Sequence, residues 1–305
     1  MHRSAERQKV RFVSGAEECA AWHYPGTNGA CIVMAGGFAV TKEPATDAFA
    51  ARFHEAGFSV LAFDYRRLGE SSGQPRLVLP LSDQLDDWQR AIEHAATLPG
   101  VDPDRIAIWA FSASGGFVFD VAARNPHLAA AIAQTPHADG PAGLRNAARH
   151  QKPLVMLRFT GRGLVDVLAG LLGLPPLLVP LVGPPGTVAM LSTPDAVDDG
   201  VRALSPDNRY PDWQQKVAAR SALRLGFYAP GRRARRVEPP LLVLVCDQDS
   251  TAVPEPAIRA AQRAPRGELV RMPGAHYEPF LGGHDHAVEV QLSFLRRHLL
   301  AADRA

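Results

Sequence analysis

Short runs of consecutive apolar residues alternate with longer segments of helical spacing through the first 135 positions. Residues 30–34 (Ala-Cys-Ile-Val-Met), 59–63 (Ser-Val-Leu-Ala-Phe), 105–110 and 129–134 are continuously apolar or nearly so. That pattern predicts strands covered on both faces, as in a parallel sheet. Between them, 45–56, 82–97 and the stretch from the Ser/Gly turn at 112–116 to about Arg124 repeat as helices. Ser82 is placed as an N-cap and Pro99-Gly100 as a stop. The rhythm lapses at His137, and no convincing strand follows until Pro240. It resumes with a strand at 240–245, a helix at about 256–263, a short strand at 268–272 and a closing helix at 287–300.

Strands alternating with helices predict an α/β fold, with a mostly parallel central sheet and helices on both faces. The interruption reads as a helical, apolar cap inserted after the fourth predicted strand. The expected division is therefore 1–138 for the first part of the core, 139–236 for the insertion and 237–305 for the second part.

Composition narrows the function classes. The 305 residues carry 33 basic and 31 acidic side chains, a net charge of +2, so neither a phosphate backbone nor an anionic surface is indicated as the main partner. The arginine-rich run at 232–236 lacks interleaved aromatic residues and reads as a solvated loop. Cys19, Cys31 and Cys246 have neither disulfide nor metal-ligand spacing. The first fourteen residues contain no apolar core of a secretory signal. These features together favour a cytoplasmic protein without a metal. The uncharged stretch 167–194 is long enough to span a bilayer, but six prolines interrupt it, which favours a lid or pocket wall over a membrane span.

The residues suited to chemistry follow the predicted strands. Ile106-Ala107-Ile108-Trp109-Ala110-Phe111-Ser112-Ala113-Ser114-Gly115-Gly116 runs from a strand through small residues into an apolar helix start. A tight turn of this kind lifts a serine hydroxyl above the sheet edge and sets it at a helix N-terminus. Cys246-Asp247-Gln248-Asp249 follows the strand at 240–245, and Gly274-Ala275-His276-Tyr277 follows the last strand. A serine, an acid and a histidine in that order, each just after a strand, make up the parts of a nucleophilic relay.

These segments resemble the α/β-hydrolase superfamily, and in particular bacterial serine hydrolases of the esterase-like and polyketide-transferase-like subgroup, over roughly residues 8 to 300. The nucleophile elbow is a variant of Gly-x-Ser-x-Gly, with Ala110 and Ser114 in the glycine positions around Ser112; Ser114 is the alternative nucleophile. The resemblance implies Ser112, Asp249 and His276 as the triad, with Asp247 and Asp139 as competing acids. It places the oxyanion hole on the backbone N–H groups of Ala113 and Phe38, the latter in Met34-Ala35-Gly36-Gly37-Phe38, where many relatives have His-Gly. Phe63-Asp64-Tyr65-Arg66-Arg67-Leu68-Gly69-Glu70-Ser71 matches a conserved loop pattern of such enzymes, with Asp64 and Arg66 expected to pair.

The implied activity is cleavage of a hydrophobic ester, lactone or thioester through an acyl-enzyme, with no cofactor. The alternatives are a polyketide-tailoring enzyme that uses the same triad for acyl transfer or elimination, and a non-catalytic binding protein. The expected partner is a small hydrophobic or polyketide-like substrate, and a dimer is compatible with the sequence. His137, Leu168, Leu172, Met190 and Tyr277 are candidate pocket residues. The leucines at 164–191 serve equally well as pocket lining or as packing between insertion and core.

Overall fold

The computed structural model describes residues 7–300. Its centre is an eight-stranded sheet. The strands are β1 (Gln8–Ser14), β2 (Glu17–Tyr24), β3 (Cys31–Ala35), β4 (Ser59–Phe63), β5 (Ile106–Phe111), β6 (Ala130–Gln134), β9 (Leu241–Cys246) and β10 (Gly267–Met272), with β7 and β8 outside it. The spatial order is β1-β2-β4-β3-β5-β6-β9-β10. β1, β2 and β4 pair antiparallel, and every other neighbouring pair is parallel. Strands β3 to β6 and β9 are buried at every position, which accounts for their unbroken apolar sequences. The helices α1 (Lys42–Glu55) and α9 (His284–Leu295) contact each other on one side of the sheet. α2 (Leu81–Ala95) packs on α3 (Ser112–Arg124), and both α3 and α8 (Pro254–Arg263) pack on the 3₁₀ segment Pro230–Arg236. The mostly parallel α/β architecture is as expected.

The hairpin β1–β2 was not expected: its longest apolar run is the four residues Cys19 to Trp22 in β2. β1 alternates between exposed and buried positions as an edge strand does. It turns at Gly15, whose φ of +60° suits a residue without a Cβ. The helix expected from Ser82 starts one residue earlier, with Pro80 at the N-cap and no side-chain cap.

Between β6 and β9 lie α4 (Gly140–His150), α5 (Pro153–Leu171), β7 (Leu178–Pro180), α6 (Pro194–Leu204), β8 (Lys216–Ala218) and α7 (Ala219–Leu225). β7 and β8 form a separate two-stranded antiparallel ribbon, so this region is not free of strands. Its proline-rich part forms turns and a short strand, and among the described residues no helix is long and apolar enough to cross a membrane.

The Asp64–Arg66 pairing is overturned. Asp64 takes Lys42 as its partner at 2.8 Å, and the Arg66 guanidinium meets Asp87 at 2.5 Å. Both partners come from helices that cover the sheet rather than from the loop itself. Lys42 is almost wholly buried and also reaches Glu43 and Glu70.

Candidate active site

The loops that carry Phe38, Ser112, His137, Asp249 and His276 all leave the carboxyl ends of parallel strands. An open α/β sheet gathers its ligand-facing loops at that edge. Ser112 follows β5 directly and opens α3 with a φ of +59°. A side chain in this sparsely populated region is held by its surroundings. The glycines that follow make the turn possible. A Cβ on Gly116 would stand 2.4 Å from the carbonyl oxygen of His137, and one on Gly115 would stand 3.1 Å from that of Ala110. The Ser112 carbonyl in turn accepts the His137 N–H at 2.9 Å, tying the elbow to the loop after β6.

The Ser112 Oγ lies 2.9 Å from Nε2 of His276, and Nδ1 of His276 lies 2.7 Å from Oδ2 of Asp249. With the imidazole neutral, Nδ1–H donates to the carboxylate and the serine hydroxyl donates to Nε2. The other Asp249 oxygen, Oδ1, accepts the backbone N–H groups of Thr251 at 2.9 Å and Ala252 at 2.6 Å. Burial pushes the Asp249 carboxyl up, while His276 and the Ala252 amide pull it back. Phe111 and Tyr277 pack on the imidazole, with ring centres 4.9 and 4.8 Å away.

The competing residues are engaged elsewhere. Asp247 pairs with Arg271 at 2.8 Å, and Asp139 caps α4 by accepting the Ala142 N–H at 2.8 Å. Ser114 is buried and accepts the Tyr65 hydroxyl at 2.9 Å, and Tyr65 accepts the Trp88 indole in turn.

A mainly apolar cavity opens over Ser112, bordered by Phe38, Ala113, His137, Met190 and Tyr277. Gly36 fits beneath the Phe38 loop because a Cβ there would come within 2.8 Å of the Val40 carbonyl oxygen. Ala113 lies in the first turn of α3, where backbone N–H groups have no partner within the helix. Trp213 fastens the same loop, donating its indole N–H to the Ala39 carbonyl at 2.9 Å. Half-buried His137 is held below the usual imidazole range, first by burial and then by the neighbouring His276.

Leu168 and Leu172 do not line this cavity. They stand 60% and 75% exposed on the outer face of α5 and at its end, whereas Val155, Met156 and Phe159 on the inner face border the cavity. A run that is apolar at nearly every position does not reveal from sequence which side of the helix turns inward.

One carboxylate near the site has no counterpart in the sequence motifs. Asp195, on α6, is buried. Its Oδ1 accepts the Ser250 and Thr251 hydroxyls, each at 2.6 Å. Its Oδ2 accepts the backbone N–H groups of Ser250 at 2.9 Å, Thr251 at 3.2 Å and His276 at 3.3 Å. Burial opposes its ionisation, but His276 and these hydrogen bonds outweigh that and hold the carboxyl below the usual range. Asp195 thus joins the insertion to both the acid loop and the histidine loop.

The sheet order, the serine turn after β5 and the loops converging above it define an α/β hydrolase. A family profile described as "serine aminopeptidase, S33" matches residues 27–281, and the chain belongs to that family. Its relatives include the quorum-quenching protein AidA of Acinetobacter baumannii, 37% identical over 292 residues and covering 94% of both chains. The polyketide transferase af380 of Aspergillus fumigatus is 26% identical over 300 residues, covering 91% of this chain and 93% of its own. Among solved structures, the α/β hydrolase GrgF of Penicillium sp. sh18 superposes with a TM-score of 0.79 at 20% identity, over 97% of this chain and all of that one. The chain is therefore a hydrolase by family and by fold.

Proposed function

We propose that this hydrolase cleaves hydrophobic carboxylic esters, lactones or thioesters through an acyl-enzyme on Ser112. One observation carries the reading: the Ser112–His276–Asp249 chain of short hydrogen bonds at the base of an apolar cavity. In the proposed cycle His276 Nε2 takes the Ser112 proton as Oγ attacks the substrate carbonyl. Asp249 keeps the imidazole in the Nδ1–H tautomer and stabilises the imidazolium. The N–H groups of Phe38 and Ala113 stabilise the oxyanion, at roughly 3 kcal/mol per donor in comparable sites. His276 then returns the proton to the leaving group, and water attacks the acyl-enzyme. The segment 139–236 acts as a cap that selects apolar acyl groups through α4, α5 and the 181–191 loop.

Fluorophosphonate labelling tests the nucleophile. The native protein takes the label and Ser112→Ala does not; a label that survives the substitution overturns the assignment. Turnover of p-nitrophenyl esters is expected to fall to background in the same variant.

Transfer of the acyl group to an acceptor other than water is the second reading. The apolar cavity walls, which limit water around an acyl-enzyme, favour it, as does the relative named a polyketide transferase. Product analysis with and without added alcohol or amine acceptors distinguishes the two, since under hydrolysis alone the acyl group appears only as the free acid.

A further inference from the structure

α5 is apolar on both sides. Its inner face borders the cavity, while Leu157, Leu164, Leu168, Leu171 and Leu172, on its outer face and at its C-terminal end, are 55–79% exposed. Leu154 and Val165 extend the same surface. A helix with a second apolar stripe facing outward needs that stripe covered, by another protein surface or by a membrane interface. A contiguous exposed patch of this kind marks a surface that something covers. Among the described residues no part of this chain covers it.

The charges around the patch identify the occupant. Exposed Lys152, Arg158 and Arg162 lie on and beside α5, with Arg145 and Arg149 on the preceding helix, and none of these five is in a salt bridge among the described residues. The only acid in the same stretch, Asp166, is buried and engaged with Arg220. Beyond the C-terminal end of the patch, Leu174 and Leu178 border a groove that also contains Arg67, Arg76, Arg220 and Arg224 and no carboxylate. Arg67 and Arg220 have acidic partners, whereas Arg76 and Arg224 have none among the described residues. A second copy of the chain would bring two such basic rims together. An anionic lipid surface complements both the leucines and the rim.

We infer that the outer face of α5 is an interfacial docking surface for anionic phospholipid bilayers, with leucines entering the acyl boundary and the arginine groove taking headgroup phosphates. The helix lies on the membrane and does not cross it. It stands between the bilayer and the cavity over Ser112, with its inner face toward the cavity.

Flotation of the full chain with vesicles tests this directly, using phosphatidylcholine alone and phosphatidylcholine mixed with phosphatidylglycerol. The native protein and Ser112→Ala are expected to float equally with the mixed vesicles and weakly with the neutral ones, so the result is independent of the proposed catalytic role. Leu164→Glu/Leu168→Glu changes only exposed positions and is expected to abolish flotation. Arg224→Gln is expected to weaken partitioning to the mixed vesicles roughly fivefold, in line with the effect of one basic residue near an anionic surface. Circular dichroism establishes that each variant is folded. Absence of native flotation overturns the inference, as does a native dimer that the double substitution splits while vesicle binding stays absent. Equal binding to neutral and anionic vesicles overturns the role of the basic rim.

Discussion

Ser112 keeps its left-handed φ because the loop after β6 holds its carbonyl and the glycines behind it leave room. The acid beside it is specified by hydrogen bonds rather than by charge alone. Asp249→Asn removes the acceptor for Nδ1–H and favours the wrong imidazole tautomer, so kcat is expected to fall about 10⁴-fold with little change in KM, as steady-state kinetics on a p-nitrophenyl ester will show. Asp195→Asn acts differently. The groups facing His276 are the carboxylates of Asp249 and Asp195, the Ser112 hydroxyl and the neighbouring His137. Removing one negative charge from this set makes the imidazolium formed during attack less stable, so kcat on a p-nitrophenyl ester is expected to fall roughly tenfold with little change in KM. An unchanged kcat would leave Asp195 a purely structural brace. Asp195 also has a folded-state pKa below its unfolded value. Its stabilisation is therefore complete above the ordinary carboxylate range and is lost as pH falls toward the folded value. Chemical denaturation should show the native protein and Asp195→Asn well separated at pH 7 and converging in acid.

Among the elements, the continuously apolar strands were legible from the sequence. β3, β4, β5, β6 and β9 announce themselves because both faces are covered, and Ser112 and His276 follow strands that could be read. β1 and β2 could not be read in this way, because the edge strand β1 only alternates and the apolar run of β2 is only four residues long. Asp195 was illegible for another reason. The string Thr193-Pro194-Asp195-Ala196 looks like any helix start, and its partners lie more than fifty positions away. Asp64 and Arg66 were misassigned to each other because adjacency in sequence hid Lys42 and Asp87. Two predictions belong at this scale. Gly116→Ala forces a methyl group against the His137 carbonyl and is expected to cost about 1–3 kcal/mol of stability by urea denaturation. Trp213→Phe keeps an aromatic ring but loses the donor to Ala39. With the Phe38 loop released, kcat is expected to drop roughly tenfold while KM changes little.

Across the whole molecule, the insertion both shapes the cavity and braces the reacting loops. Under the proposed function, one segment would set both substrate selection and catalytic geometry. Met156→Trp, on the inner face of α5, is expected to shift the preferred acyl length of p-nitrophenyl esters toward shorter chains, with acetate turnover retained, as a chain-length series will measure.

The His276 side chain has no measurable solvent exposure, and Asp249 is 5% exposed. In the proposed cycle a hydrogen ion lifted from the serine therefore has nowhere to diffuse. It remains on the ring until the departing alkoxide or thiolate collects it, so each leaving group is neutralised by the particle that the attack itself released, and bulk buffer takes no part in that exchange.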